Sequence, residues 1–311
     1  LVPPYLLGFD YRAWTYALGI ALSGATAWAA GKVVAGFGWG RREVLLASCF
    51  VALEWHMVWA AVSGMEITLF SFLSFLAMAL FLHGWPFSGR STFRMAGMGL
   101  LLGVLCLVRP EGLLLGGLFL PAILLRSPRK AAAFGAGLAI PLASYGAFNY
   151  YLSGTPFPNT FYAKAAEYRE LVEMFPLPLR FLRVLFPTAV GAQVMLIPGF
   201  LWSAAEGWRS EKSPFRAIPF LWFFLLPLAY AVRLPVNYQH GRYVMPVIPV
   251  LVALGVPGTL ELARKAPALL TRAWLISTFI LLLAFLILGA KAYATDVGII
   301  QCEMVTVAGW V

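Results

Sequence analysis

Four short polar stretches interrupt an otherwise apolar sequence, and each carries side chains able to handle a phosphate or a sugar hydroxyl. Ser63-Gly64-Met65-Glu66 puts a carboxylate beside glycine. The three-residue spacing of Ser63 and Glu66 equally suits a helix capping box. Arg109-Pro110-Glu111-Gly112 offers a planar, permanently charged guanidinium suited to phosphate. Its neighbour Glu111 is also a ready ion-pair partner, placed where Pro110 ends one helix and the next one begins. After Pro156 and Pro158, Asn159, Thr160, Tyr162 and Lys164 supply donors and acceptors for hydroxyls or an anion; an ordinary polar loop would read the same way. Asn237-Tyr238-Gln239-His240-Gly241-Arg242-Tyr243 joins a titratable ring, a glycine that admits close backbone approach, and a basic–aromatic pair. Interfacial anchoring accounts equally well for Arg242 and Tyr243.

These stretches need elements that bring them together, and the sequence supplies apolar helices. The chain has 311 residues, of which 61% are hydrophobic and 12% charged. A soluble domain is about a quarter charged. Ten apolar stretches are legible, at 12–31, 44–62, 66–83, 95–109, 111–125, 131–152, 186–205, 217–232, 244–262 and 273–292. Crossing the hydrocarbon core takes about 20 apolar residues in a helix. The expected fold is therefore all-α: a polytopic helical membrane protein of about ten transmembrane helices in a single domain.

Charge orients it. When the connecting loops are assigned alternately to two sides, one set holds fourteen Lys and Arg against four acids, and the remaining nine of each sign cancel. Basic loops stay in the cytoplasm. All four polar stretches then face outward. The net charge of +10 lies in short loops, where the insertion rule already explains it, so it gives no support to a nucleic-acid partner.

Two ionisable residues, Glu54 and His56, fall inside the 44–62 stretch. Two apart on a continuous helix they would face different ways and need separate partners. In the outer loop 153–185, Tyr168, Leu171, Val172 and Phe175 follow helical spacing with Glu167, Glu170 and Glu173 opposite. The pattern predicts an amphipathic helix on the membrane surface. Residues 1–10 are too short to span. Cys49, Cys106 and Cys302 show neither metal-ligand spacing nor a disulfide framework. The opening Leu1 and the polar end at Val311 read as a piece of a longer protein.

In their order, SGMEITLF, LVRPEGLLL, TPFPNTFYAK and QHGRYVMPVIP resemble the multi-spanning GT-C glycosyltransferases, with the closest likeness to the arabinofuranosyltransferase-like branch of envelope synthesis. The likeness covers nearly the whole chain. It implies a polyprenyl-phosphate-linked sugar donor, a glycan, lipid or protein acceptor, and reaction at the outer face of the cytoplasmic membrane. Glu66 matches the family's second acidic residue, Arg109 a basic residue near the donor phosphate, and Arg242 with Tyr243 the basic–aromatic entry to a late span. Glu111, Asn159, Tyr162, Lys164 and His240 complete the expected substrate-binding set. The family's principal catalytic Asp belongs to a first outer loop upstream of Leu1, and Asp10 is a poor substitute. No His/Cys/Asp cluster demands a metal, and a divalent cation stays an open option. The competing expectation is a transporter or flippase of lipid-linked saccharides, which would keep ionisable groups near the bilayer midplane.

Overall fold

Each of the ten apolar stretches is helical in the computed structural model of the chain, which describes residues 6–88, 92–156, 163, 166–209 and 214–306. The described residues form helices and turns and contain no strand. The helices are α1 (Tyr11–Gly36), α2 (Arg41–Leu53), α3 (Trp55–Val62), α4 (Ile67–Leu82), α5 (Phe93–Val108), α6 (Gly112–Leu124), α7 (Pro128–Ser153), α8 (Arg169–Met174), α9 (Leu177–Leu185), α10 (Ile197–Arg209), α11 (Ile218–Arg233), α12 (Ile248–Lys265) and α13 (Ala268–Ile299).

Among the described residues four helical runs are long and apolar enough to cross a bilayer: Tyr11–Gly36, Pro128–Ser153, Gln239–Lys265 and Ala268–Cys302. Two more spans form if bent pairs are each counted once. These are α2 with α3, bent by 52°, and Leu177–Ala189 with Ala192–Gly207, bent by 101°. The helices α4, α5, α6 and α11 are apolar but shorter, at 10–17 residues. The chain is thus a helical membrane protein with four to six candidate full-length spans.

The bundle is built around α12, whose first three turns are apolar on all sides. In the run Gln239–Lys265, 94% of the most apolar window is buried, against 11% in Ala268–Cys302. A helix that is hydrophobic all round belongs inside a protein or in lipid. Here α12 takes the first place, and α13 presents Leu269, Ile276, Phe279, Ile280 and Ile287 outward. Close packing depends on small residues. A Cβ at Gly99 would strike the Phe134 carbonyl, and one at Gly137 would strike the Ala96 carbonyl, so α5 and α7 touch backbone to backbone.

The helix ends separate into two sets. At one end, Arg216 Nη2 donates to Phe37 O at 3.2 Å, His83 Nε2 lies 2.9 Å from Lys32 O, and Arg264 Nη2 donates to Glu43 Oε1 at 2.7 Å. At the other end, Glu66, Arg109, Tyr230 and Arg242 meet. The segments around residues 36, 43, 83, 216 and 264 thus touch one another, and those around residues 66, 109, 230 and 242 form a second group.

Two local expectations change. The helix expected through Tyr168–Phe175 stops at Met174, and Phe175 is extended at φ −118°, ψ 135°. Pro176 disfavours the helical region for the residue before it. A second helix, α9, follows and packs beneath α11, where Arg180 Nη1 donates to Ala231 O at 3.0 Å. The 44–62 helix is likewise interrupted. Glu54 is extended at ψ 126° and caps a new helix, its Oε2 accepting from the Met57 N–H at 3.1 Å.

Candidate functional site

Arg109 is the centre of the candidate site. Pro110 drives it out of the helix that precedes it, to φ −150°, ψ 133°. The chain then turns straight into α6, packed so closely on α5 that a Cβ at Gly112 would press on the backbone of Cys106. The turn aims the Arg109 side chain back into the bundle, where the residue is only 6% exposed.

A buried guanidinium needs partners, and Arg109 draws them from four separate segments. Its Nη2 donates to the Tyr230 hydroxyl of α11 at 2.8 Å. Its Nη1 donates to the Arg242 carbonyl at 3.4 Å. Two carboxylates stand further off: Glu111 Oε2 at 3.5 Å from Nε, and Glu66 Oε1 at 3.9 Å from Nη1. The rings of Phe70 and Tyr243 each lie 5.7 Å from the guanidinium carbon, within cation–π range. Glu111 Oε2 is buried and has no hydrogen-bond partner, so its contact with Arg109 is one of charge alone. The simple Arg109–Glu111 pair that adjacency invites is therefore the weaker of Arg109's attachments.

Glu66 occupies the N-terminal position of α4, yet its side chain makes no capping bond and is 53% exposed. Ser63 ends α3 instead of starting α4: its hydroxyl donates to Ala60 O at 2.9 Å and accepts from Met65 N–H at 3.3 Å. The capping box does not form because Gly64, at φ +71°, turns the chain between the two residues. The carboxylate is left at the open side of the site.

The stretch 238–244 supplies the opposite wall. Gln239, His240 and Gly241 have φ of +45°, +59° and +78° in succession. Such a conformation costs energy at the two non-glycine positions. Gly241 is required on a second count, since a Cβ there would collide with Pro187. The tight loop presents Arg242, whose Nη1 donates to Gln239 Oε1 at 2.6 Å and whose Nη2 donates to the Tyr243 hydroxyl at 3.0 Å. Tyr243 packs on Tyr230 with ring centroids 4.9 Å apart. A chain of contacts, Arg109–Tyr230–Tyr243–Arg242, thus orders two arginines at one end of the bundle.

His240 belongs elsewhere. Its Nε2 lies 3.0 Å from Asp296 Oδ2 on α13, and the Trp59 Nε1–H donates to the same oxygen at 3.0 Å. Its ring stands edge-on to Trp55 and Trp59, at 5.6 and 5.4 Å. The expectation that it shares a substrate site with Arg109 is corrected: the positive φ at His240 turns it toward α3 and α13, while Arg242 and Tyr243 continue toward Arg109. Of the expected set, Glu66, Arg109, Glu111, Arg242 and Tyr243 come together. Asn159, Tyr162 and Lys164 lie outside the described residues. Asp10 caps α1 through a bond from the Arg12 N–H at 2.8 Å. Nearby on the surface segment, the Tyr168 hydroxyl bonds to Tyr238 at 3.0 Å, and this bond, with burial and Glu167, holds the phenol's pKa above its ordinary value.

Glu54 and His56 pair with each other, contrary to the separate partners expected on a continuous helix. His56 Nδ1 lies 2.7 Å from Glu54 Oε1, and both side chains are 1% exposed. The break at Glu54 removes the angular offset that kept them apart.

Tyr230, Phe70 and Asp296 were not singled out from sequence. Tyr230 had one faint signal, a hydroxyl near the end of an apolar stretch on the side of the polar clusters. Among the described residues no group of three or more His, Cys, Asp or Glu is placed to hold a metal ion. Glu66 and Glu111 both face the Arg109 cation, which opposes a divalent ion there. The chain matches no known family model, no curated protein and no solved structure.

Proposed function

We propose that this chain is a membrane glycosyltransferase that moves a sugar from a polyprenyl-phosphate donor to a glycan, lipid or protein acceptor outside the cytoplasmic membrane. On this reading all ten apolar stretches cross or enter the bilayer. The basic loops face the cytoplasm and the Arg109 site faces out. The observation that supports it is the convergence of Glu66, Arg109, Glu111, Arg242 and Tyr243 from distant segments at the end opposite the basic loops.

The reaction breaks the bond between the sugar's anomeric carbon and the phosphate oxygen, whose electron pair stays on the phosphate. The acceptor oxygen bonds to the anomeric carbon and gives its proton to a base. Charge therefore builds on the departing phosphate and, with positive sign, on the sugar. Arg109 meets the first need as a charge-assisted donor fixed by Tyr230. Its carboxylate contacts, at 3.5 and 3.9 Å, are longer than hydrogen bonds and are the ones a phosphate replaces. Glu66, half exposed, is then released to orient the acceptor or its base.

One observation favours the second reading, a transporter or flippase of lipid-linked saccharides: the helix break that holds Glu54 and His56 inside an apolar stretch. The two readings separate in one experiment. Purified full-length protein in detergent is given a polyprenyl-phosphate sugar and a mixture of envelope acceptors. A transferase forms a new glycosidic product without a sealed membrane, whereas a flippase moves the lipid only in vesicles and leaves it chemically unchanged. Orientation is checked in intact cells with an impermeant thiol reagent. Labelling of Arg242→Cys but not of Arg129→Cys is expected, and the reverse pattern removes the outward site.

A further inference from the structure

The break between α2 and α3 has features that neither the transferase nor its phosphate site uses. Glu54 and His56 are buried in a stretch of the chain that is otherwise apolar. Two polar atoms beside them, His56 Nε2 and Gln193 Oε1, are buried without a hydrogen-bond partner. The Gln193 amide is held here by its bond to Val190 O at 2.8 Å, and its nitrogen stands 3.5 Å from His56 Nδ1. Among the described residues, Glu54's side-chain partners are the His56 ring and the Met57 N–H. No described Lys or Arg pairs with it, so an ionised Glu54 beside a neutral histidine would leave an uncompensated charge in the membrane interior, which is strongly disfavoured.

We propose that this break is a proton-binding site, in which one proton converts Glu54 and His56 to a buried carboxylate–imidazolium pair. Three features place the proton on His56 and leave Glu54 ionised. Glu54 Oε2 accepts from the first turn of α3, where the helix dipole favours a negative charge. The Trp55 ring lies against the imidazole with centroids 3.7 Å apart and planes tilted by 36°, a position that favours a cation. The last carbonyls of α2 end at the same point and favour a positive charge. With the proton in place, Nδ1–H donates to Glu54 at 2.7 Å, the length of a charge-assisted bond. The other titratable groups nearby are His240 of the 238–244 loop and Asp296 of α13, which pair with each other on the far side of Trp55 and Trp59.

The site sits where a proton can act on shape. The pair pins the 52° bend. Trp55 ties the bend to Val190 O at 2.7 Å and touches His240, whose loop carries the Arg242 carbonyl that holds Arg109. Losing the proton would unpin the bend and reach that loop.

The test is nitrogen-15 NMR of ring-labelled histidine in the purified protein in lipid nanodiscs at neutral pH. The chain has three histidines, and His56→Gln assigns the one of interest. Protons on both ring nitrogens of His56 are expected, with conversion to a single-proton ring in Glu54→Gln. A neutral His56 ring in the parental protein overturns the proposal. So does an imidazolium that survives in Glu54→Gln, because the carboxylate would then not be what holds the proton. If Glu54→Gln does not fold, the parental spectrum decides alone.

Discussion

The Arg109 and Glu54 clusters use the same ingredients, carboxylates beside a basic side chain, under opposite conditions. Glu54 and His56 are closed off from solvent and joined by a 2.7 Å bond, and they lie where one apolar helix breaks into two. Arg109 is buried, while Glu66 is 53% exposed and Glu111 19%, with its Oε2 buried, and neither carboxylate makes a hydrogen bond to it. The first arrangement pairs its two titratable groups with each other at a bend. The second leaves its charges loosely compensated on the side from which a ligand would come. A buried ion pair resists separation because each partner would be stranded in a poor solvent. An open pair gains little from its own attraction and gives way readily to a better partner. The first cluster should therefore govern folding, and the second should govern ligand handling.

The largest effect expected follows from that contrast. On the proposed carboxylate–imidazolium pairing, His56→Ala leaves the buried Glu54 without its 2.7 Å partner and should cost about 3–5 kcal/mol of stability. Arg109→Ala, which leaves two partly hydrated carboxylates, should cost clearly less. Unfolding of both variants in the same detergent checks this. Equal losses would erase the distinction between the clusters.

In turnover the order reverses. Arg109→Ala in the full-length protein should lower sugar transfer on the order of tenfold to a thousandfold, the range of a lost charge-stabilising donor. Arg109→Lys should recover only part, because a point charge replaces a planar fork. Glu111→Ala should leave most of the rate, since its 3.5 Å contact with Arg109 is one of charge without a hydrogen bond, and Tyr230 still holds the guanidinium. An Arg109→Ala protein that folds and transfers at the parental rate would take Arg109 out of the site.

What was legible in the sequence, and what was not, divides along the same line. The helices were legible because apolar runs of this length have few other outcomes in a chain so poor in charge. The Arg109 cluster was legible in part, because Arg109, Glu66 and Arg242 are charges at the ends of apolar runs and such charges need partners. Three features were hidden. Tyr230 is an aromatic in an apolar helix, and only the crossing of α11 past Arg109 gives its hydroxyl a purpose. The break at Glu54 has no proline or glycine to announce it. It arises because the carboxylate caps the helix that follows, and that error of continuity is what misplaced the partners of Glu54 and His56. The direction of His240 was equally hidden, since consecutive positive φ angles at Gln239 and His240 are unusual for their residue types.

Tyr230 allows a finer cut. Tyr230→Phe keeps the ring on Tyr243 and removes only the hydroxyl that fixes Arg109. Its stability cost should be about 0.5–1.5 kcal/mol, that of one hydrogen bond. If the hydroxyl aims the guanidinium, transfer should fall within the same energy range, roughly twofold to tenfold, mainly in kcat. A loss as deep as that of Arg109→Ala would mean that Tyr230 touches the substrate itself.

The smallest effect is expected at Ser63, and its smallness is informative. If Ser63 and Glu66 formed a capping box, Ser63→Ala would cost about 0.5–2 kcal/mol. In the structure Ser63 closes α3, Glu66 makes no capping bond, and Gly64 turns the chain between them. Ser63→Ala gives up only the hydroxyl's local bonds to Ala60 O and the Met65 N–H, at a half-exposed position where water replaces them, so its cost should stay at the low end of that range, about 0.5 kcal/mol. Glu66→Gln should be as mild in stability, since the side chain is open to solvent and its contact with Arg109 is 3.9 Å long. Transfer separates the pair: Ser63→Ala should keep the parental rate and Glu66→Gln should not. If both variants lose stability together and keep their rates, Glu66 is a structural residue of the turn, and the open side of the Arg109 site has no carboxylate with a role in the reaction.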